Sequence, residues 1–159
     1  MANGVHQFTM KTIDGTDKPL ADYEGKVLLV VNVASQCGLT PQYKSLEAIS
    51  RKYAGKAFAV LGFPANDFGA QEPGTEAQIK EFCSTKYDVT FPMFAKITVK
   101  GASKHPLYAY LTSNAAPAGE VTWNFGKFLV GKDGKVIKRF DPQVAPDAPE
   151  VLAAIEAAL

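Results

Sequence analysis

Two cysteines, two histidines and one tryptophan are all that the 159 residues hold of these scarce side chains. So few cysteines exclude a permanent disulfide framework, and a chain of this length can bury a sizeable core without one. His6 and His105 show no zinc-ligand spacing with Cys37 and Cys83, and isolated positions give no Cys–His catalytic pair. An excess of charge of one sign is also missing. Seventeen basic residues face sixteen acidic ones, with no basic cluster or interleaved aromatic stripe of the kind that tracks a phosphate backbone. Nucleic acid is therefore not an expected partner. The longest apolar stretch, residues 27–31, is far too short for a signal-peptide core or a membrane span, so a cytoplasmic location is the default expectation. No repeat, low-complexity tract or linker interrupts the chain, which predicts one domain over residues 1–159.

What is present alternates between strand and helix signals. "VLLVVNVA" (27–34) is nearly continuous, apolar and rich in β-branched residues, as suits a central strand covered on both faces. Thr40 then offers an N-cap with Pro41 at the first helical position, apolar residues recur at Leu46, Ile49 and Tyr53, and Gly55 supplies a stop. "AFAVLGFP" (57–64) is a second buried strand, so residues 27–64 form a βαβ unit with parallel strands. An irregular loop, "ANDFGAQEPG", leaves it. Thr75 and Gln78 form a capping box opening a helix to about Lys86, with Ile79, Phe82 and Cys83 along one face. Further on come a strand at 93–97, a short helix at 106–111, a hairpin turning at Asp133-Gly134, and a C-terminal helix capped by Asp147. This order predicts an α/β thioredoxin-like fold, a central mixed sheet flanked by helices.

Within this order Cys37, in "VASQCGLTP", falls in a polar turn between strand and helix. A structural cysteine would sit more naturally inside the apolar run. Near a helix start, unpaired N–H groups and the helix dipole favour an anion, so an accessible thiol there is a candidate nucleophile. The alternative is a quiet thiol at a strand end. Residues 37–40 lack the C-x-x-C of thioredoxin-type exchange, since Thr40 stands three residues after Cys37.

"NVASQCGLT", "FPANDFGAQEPG" and "WNFGKFLV", with "TFPMF" between the second and third, resemble the signature blocks of the glutathione peroxidase family in order and spacing. They span Asn32 to Val130. The resemblance implies a peroxidase in which Cys37 is the peroxidatic residue, helped by Gln71, Trp123 and Asn124. An amide and an indole N–H are neutral donors able to stabilise a thiolate and orient a peroxide without a counter-cation. It implies hydrogen peroxide and organic hydroperoxides as substrates, and neither cofactor nor metal.

Cys83, in "FCSTKY", resembles the resolving cysteine of the family's thioredoxin-dependent branch, so thioredoxin is the expected reductant and glutathione the alternative. A bland reading stands beside it, in which Cys83 simply packs with Ile79 and Phe82. The short segment between "LYAYLTSNA" and "WNF" lacks the extra loop of the family's tetramers and implies a monomer. A peroxide sensor that passes its disulfide to a regulatory protein would share the Cys37 chemistry. Two departures stand out: Ala65 replaces a frequent cysteine, leaving Cys83 the only internal resolver, and Asp67 replaces a glutamine. Asp67 is expected to point into solvent.

Overall fold

The computed structural model describes residues 3–159. Its centre is a four-stranded mixed sheet in the order β4-β3-β5-β6. Strand β3 (Val27–Val33) is buried at every position and pairs in parallel with β4 (Phe58–Pro64), from Val27↔Phe58 to Val33↔Pro64. On its other side β3 runs antiparallel to β5 (Lys127–Val130), which forms a hairpin with β6 (Val136–Phe140). The hairpin closes through Gly134, whose φ of 84° suits glycine, and whose N–H donates to the Gly131 carbonyl at 3.0 Å. This is the thioredoxin-like arrangement that the element order predicts.

Alternation along β3 builds two core layers. Val27, Leu29, Val31 and Val33 face one layer, packed against α1 (Gln42–Lys52), α2 (Glu76–Tyr87) and α4 (Pro149–Ala158). Leu28 and Val30 face the other, under α3 (Pro106–Asn114) and the N-terminal turns that bring in Val5 and Leu20. A small two-stranded sheet of β1 (Thr9–Lys11) and β2 (Asp17–Pro19) lies apart from the main one. At three residues each, with polar ends, these strands carry no periodic signal in the sequence.

Four local expectations are corrected. Residues 93–97 form no strand: Met93 makes an isolated parallel bridge to Gly62 and Phe94 an antiparallel one to Thr12. The segment divides its hydrogen bonds between β4 and residues 11–13, and Pro92 has no N–H to extend a ladder. Thr40 does not cap α1, because its hydroxyl turns back to the Ala34 carbonyl and the Cys37 N–H. Asp147 does not cap α4. Pro149 takes the first helical turn and puts Ala148 at the N-cap, one residue too late for the aspartate. Asp67 is half-buried, and its carboxylate accepts the Val99 N–H at 2.7 Å, fixing its loop to the segment after residue 97. The Thr75–Gln78 capping box is present in full.

Candidate active site

The end of β3 delivers Cys37 into a turn held from within. Its N–H donates to Thr40 Oγ1 at 2.9 Å, that hydroxyl donates to the Ala34 carbonyl at 2.8 Å, and the Leu39 N–H points at Cys37 Sγ at 3.3 Å. Helix α1 starts only at Gln42, so a turn N–H, rather than the helix end, serves the sulfur. At 8% exposure Cys37 is also less open than a polar turn suggests, with only a rim of the residue reaching solvent.

Two remote segments converge here. The loop after β4 is zipped to the cysteine turn by two bonds: the Gln36 N–H donates to the Gln71 carbonyl at 3.0 Å, and the Ser35 N–H to Glu72 Oε1 at 3.1 Å. The segment before β5 joins through side chains. Asn124 Nδ2 donates to Gln71 Oε1 at 3.1 Å, across 53 residues of chain. Trp123, half-buried, tilts over Phe68 at 5.6 Å between ring centroids. Phe125 and Phe128 are core residues, as the sequence predicts. The structure thus brings Gln71, Trp123 and Asn124 to one end of the sheet beside the Cys37 turn.

Cys83 lies on the packed face of α2 beside Ile79, in the same core layer as Cys37. Both cysteines are free thiols. Burial pushes the Cys83 thiol up to about 11, against the neighbouring Tyr43 hydroxyl, which favours the thiolate, and with a smaller push from Glu72. At pH 8 only about one molecule in a thousand then carries a Cys83 thiolate in the closed fold. Iodoacetamide at pH 8 is therefore expected to alkylate Cys83 at least about a hundredfold more slowly in the folded protein than in the urea-unfolded chain. Mass spectrometry of partly modified protein checks this, and equal rates would show that the α2 seam is open.

Four further residues shape the site without having been singled out in the sequence. Asn32 sits in an otherwise apolar strand, and that polar intrusion is its signal. Its Nδ2 donates to the Trp123 carbonyl at 3.1 Å, and its own carbonyl takes the Phe125 N–H at 2.6 Å. Glu72 is 1% exposed, and burial raises its carboxyl above the usual range against the Ser35 hydrogen bond and Lys96. Tyr43, on α1, stacks on Tyr87 and meets Phe125 edge-on, filling the seam between α1, α2 and the Trp123 segment. Lys127 is a buried lysine at the start of β5. Beside Ser35, Gln36 and Glu72, a cavity of about 440 Å³ opens against Ile79 and Phe82 of α2.

The sequence model of the glutathione peroxidase family matches residues 5–112. The chain belongs to the glutathione peroxidase family. Among its relatives, the hydroperoxy fatty acid reductase gpx1 of Synechocystis is 48% identical, over 97% of this chain and 95% of that one. The thioredoxin/glutathione peroxidase BtuE of Escherichia coli is 44% identical, over 100% and 99%. The crystal structure of Trgpx in its apo form superposes with a TM-score of 0.79 at 37% identity, covering 99% of this chain and 96% of that one. This family member is accordingly a peroxidase of thioredoxin-like fold. Among its described residues no helix is long and apolar enough to cross a membrane.

Proposed function

We propose that the enzyme reduces hydrogen peroxide and organic hydroperoxides at Cys37, resolves the product with Cys83, and is recycled by thioredoxin. The convergence of Gln71 and Asn124, paired at 3.1 Å, on the turn that holds Cys37 carries this reading. In the first step the Cys37 thiolate attacks one peroxide oxygen, the O–O bond breaks, and the departing alkoxide or hydroxide takes a proton to leave as alcohol or water. The sulfur, oxidised by two electrons, becomes a sulfenic acid. The amides of Gln71 and Asn124 and the Trp123 indole are neutral, positioned donors for the charge that develops on oxygen. The apolar wall of the 440 Å³ cavity, Ile79 and Phe82, offers an organic hydroperoxide somewhere to lay its carbon chain. The name of the Synechocystis relative points to the same substrate class.

In the second step a Cys83 thiolate displaces hydroxide from the sulfenic sulfur and an internal disulfide forms. The packed Cys83 is in the wrong state for this, buried and protonated near neutral pH. Residues around 83–87 must therefore leave the core before the bond can close, which also exposes and ionises the thiol. Ser84, Thr85 and Tyr87 are mediocre helix formers, which favours local opening. The far end is tied down: Arg51 Nη2 reaches the Asp88 carboxylate at 3.0 Å, and Glu47 Oε1 accepts the Thr90 N–H at 2.7 Å. Asp88, left-handed at φ 50°, is then the C-terminal boundary of the segment that opens.

A protein disulfide suits a protein reductant, and the name of the E. coli relative pairs thioredoxin with glutathione. The enzyme works as a monomer in the cytoplasm, where reduced thioredoxin is available. The test is NADPH consumption with a hydroperoxide, comparing thioredoxin plus its reductase with glutathione plus its reductase. Sustained turnover at least about tenfold faster with thioredoxin is expected. Equal or faster turnover with glutathione would overturn the assignment of reductant, and a single stoichiometric oxidation would favour a peroxide sensor.

A further inference from the structure

Lys127 is the most unusual buried group in the molecule. It opens β5, pairs with Val31 and Phe140, and points into the layer that holds Phe125 and Leu129, with 1% of its surface exposed. Among the described residues its ammonium makes no ion pair. Instead Nζ donates to the Phe125 carbonyl at 2.7 Å and to the Pro142 carbonyl at 3.2 Å. The Pro142 carbonyl also accepts Gln42 Nε2 at 2.8 Å, from the first turn of the helix that follows Cys37. One buried cation therefore joins the Trp123–Asn124–Phe125 segment, the chain after β6 and, through a shared acceptor, α1.

The other end of the contact explains why a donor is needed there. Phe125 has φ 69°, a left-handed conformation that a bulky side chain adopts only when its surroundings over-determine it. Both polar groups of that residue are held: Asn32 takes its N–H at 2.6 Å and Lys127 grips its carbonyl. The peptide groups flanking Phe125 set the direction in which Asn124 leaves the backbone. A rotation of Phe125 to negative φ would carry Asn124 Nδ2 away from Gln71 Oε1.

We propose that Lys127 is a positioning residue for peroxide reduction, holding Phe125 in its left-handed conformation so that Asn124 and Trp123 are presented to Cys37. Packing alone does not account for it, since a methionine would fill the same space without taking an ammonium out of water. Burial pulls the Lys127 ammonium down to about 7 against the opposing influence of Asp141, so near neutral pH the charge burdens the fold rather than supporting it. Its use lies in its donors.

This inference rests on the proposed role of Asn124, and the two are separated by a double-mutant cycle. Lys127→Met, Asn124→Ala and the double variant are compared by the rate constant for Cys37 sulfenic acid formation with hydrogen peroxide and by the thermal unfolding midpoint. Lys127→Met is expected to slow oxidation by about ten- to a hundredfold with a midpoint at or above that of the wild type. In the Asn124→Ala background the same change should cost less than about twofold, because the group being positioned is gone. Lys127→Arg, which keeps the donors, should recover most of the rate. Should Lys127→Met fail to fold, Lys127→Gln carries the same comparison. If Asn124→Ala leaves the rate unchanged, the site reading fails. If Asn124→Ala slows oxidation and the Lys127 variants do not, or if the two effects simply multiply, the positioning role is overturned.

Discussion

Cys37→Ser is expected to abolish peroxidase activity, by at least about a thousandfold, while leaving the fold intact. A serine hydroxyl is a poor nucleophile without a general base, and among the described residues no histidine or carboxylate donates to or accepts from Cys37. The surroundings tolerate the change. The Leu39 N–H that points at the sulfur can donate to a serine oxygen instead, and the Thr40 clasp on the residue's own N–H is a backbone contact that survives. A stability change within about 1 kcal/mol is therefore expected. Stopped-flow peroxide consumption and thermal unfolding read the two halves separately. Activity near wild type would end the assignment of Cys37, and loss of activity together with loss of the folded state would leave Cys37 as a structural residue only.

Cys83→Ser is expected to keep the first oxidation and lose thioredoxin-driven turnover, by at least about a hundredfold. The side chain is 2% exposed and lies on α2, clear of the hydrogen bonds that join the Cys37 turn to Gln71, Glu72 and Asn124. Peroxide attack should proceed within a fewfold of the wild-type rate, and the sulfenic acid should persist long enough to be trapped by dimedone. Without a second thiol no internal disulfide forms, so thioredoxin has nothing protein-sized to reduce. The serine hydroxyl sits on a buried helix face but can bond back to the carbonyl one turn earlier, which limits the cost to about 1–2 kcal/mol. Normal cycling of this variant with thioredoxin would make Cys83 a packing residue and the Cys37 sulfenic acid itself the group that thioredoxin reduces.

The elements that were legible in the chain are those whose signal is local. Residues 27–34 and 57–64 read as buried strands because they are nearly continuously apolar, and Thr75–Gln78 read as a helix start because a capping box is completed within four residues. The elements misread depend on what lies opposite. Met93 and Phe94 have strand-like side chains, but their backbone partners alternate between two different segments, which no local pattern announces. Thr40 and Asp147 are good capping residues by type. Whether they cap turned on one competing donor, the Cys37 N–H, and one proline at position 149.

The same division runs through the site. Cys37, Gln71, Trp123, Asn124 and Cys83 were visible in the sequence as motif residues, since chemistry that needs a particular side chain leaves that side chain in the string. Asn32, Glu72 and Lys127 were not singled out, although each is a polar group inside or beside an apolar run. Their partners are the Trp123 carbonyl, the Ser35 N–H and the Phe125 carbonyl, from 2 to 91 residues away along the chain. Backbone groups are identical at every position, so a side chain that exists to satisfy one leaves no matching letter to search for. The letters of the chain alone pick out the candidate reacting residues and the layered frame that carries them. Tertiary structure alone decided how they are held: a left-handed Phe125 gripped from both sides, a cysteine sunk to 8% exposure, and a second cysteine whose burial keeps its thiol protonated. Burial and strain are properties of surroundings assembled from distant parts of the chain, and they come into being only when the chain closes.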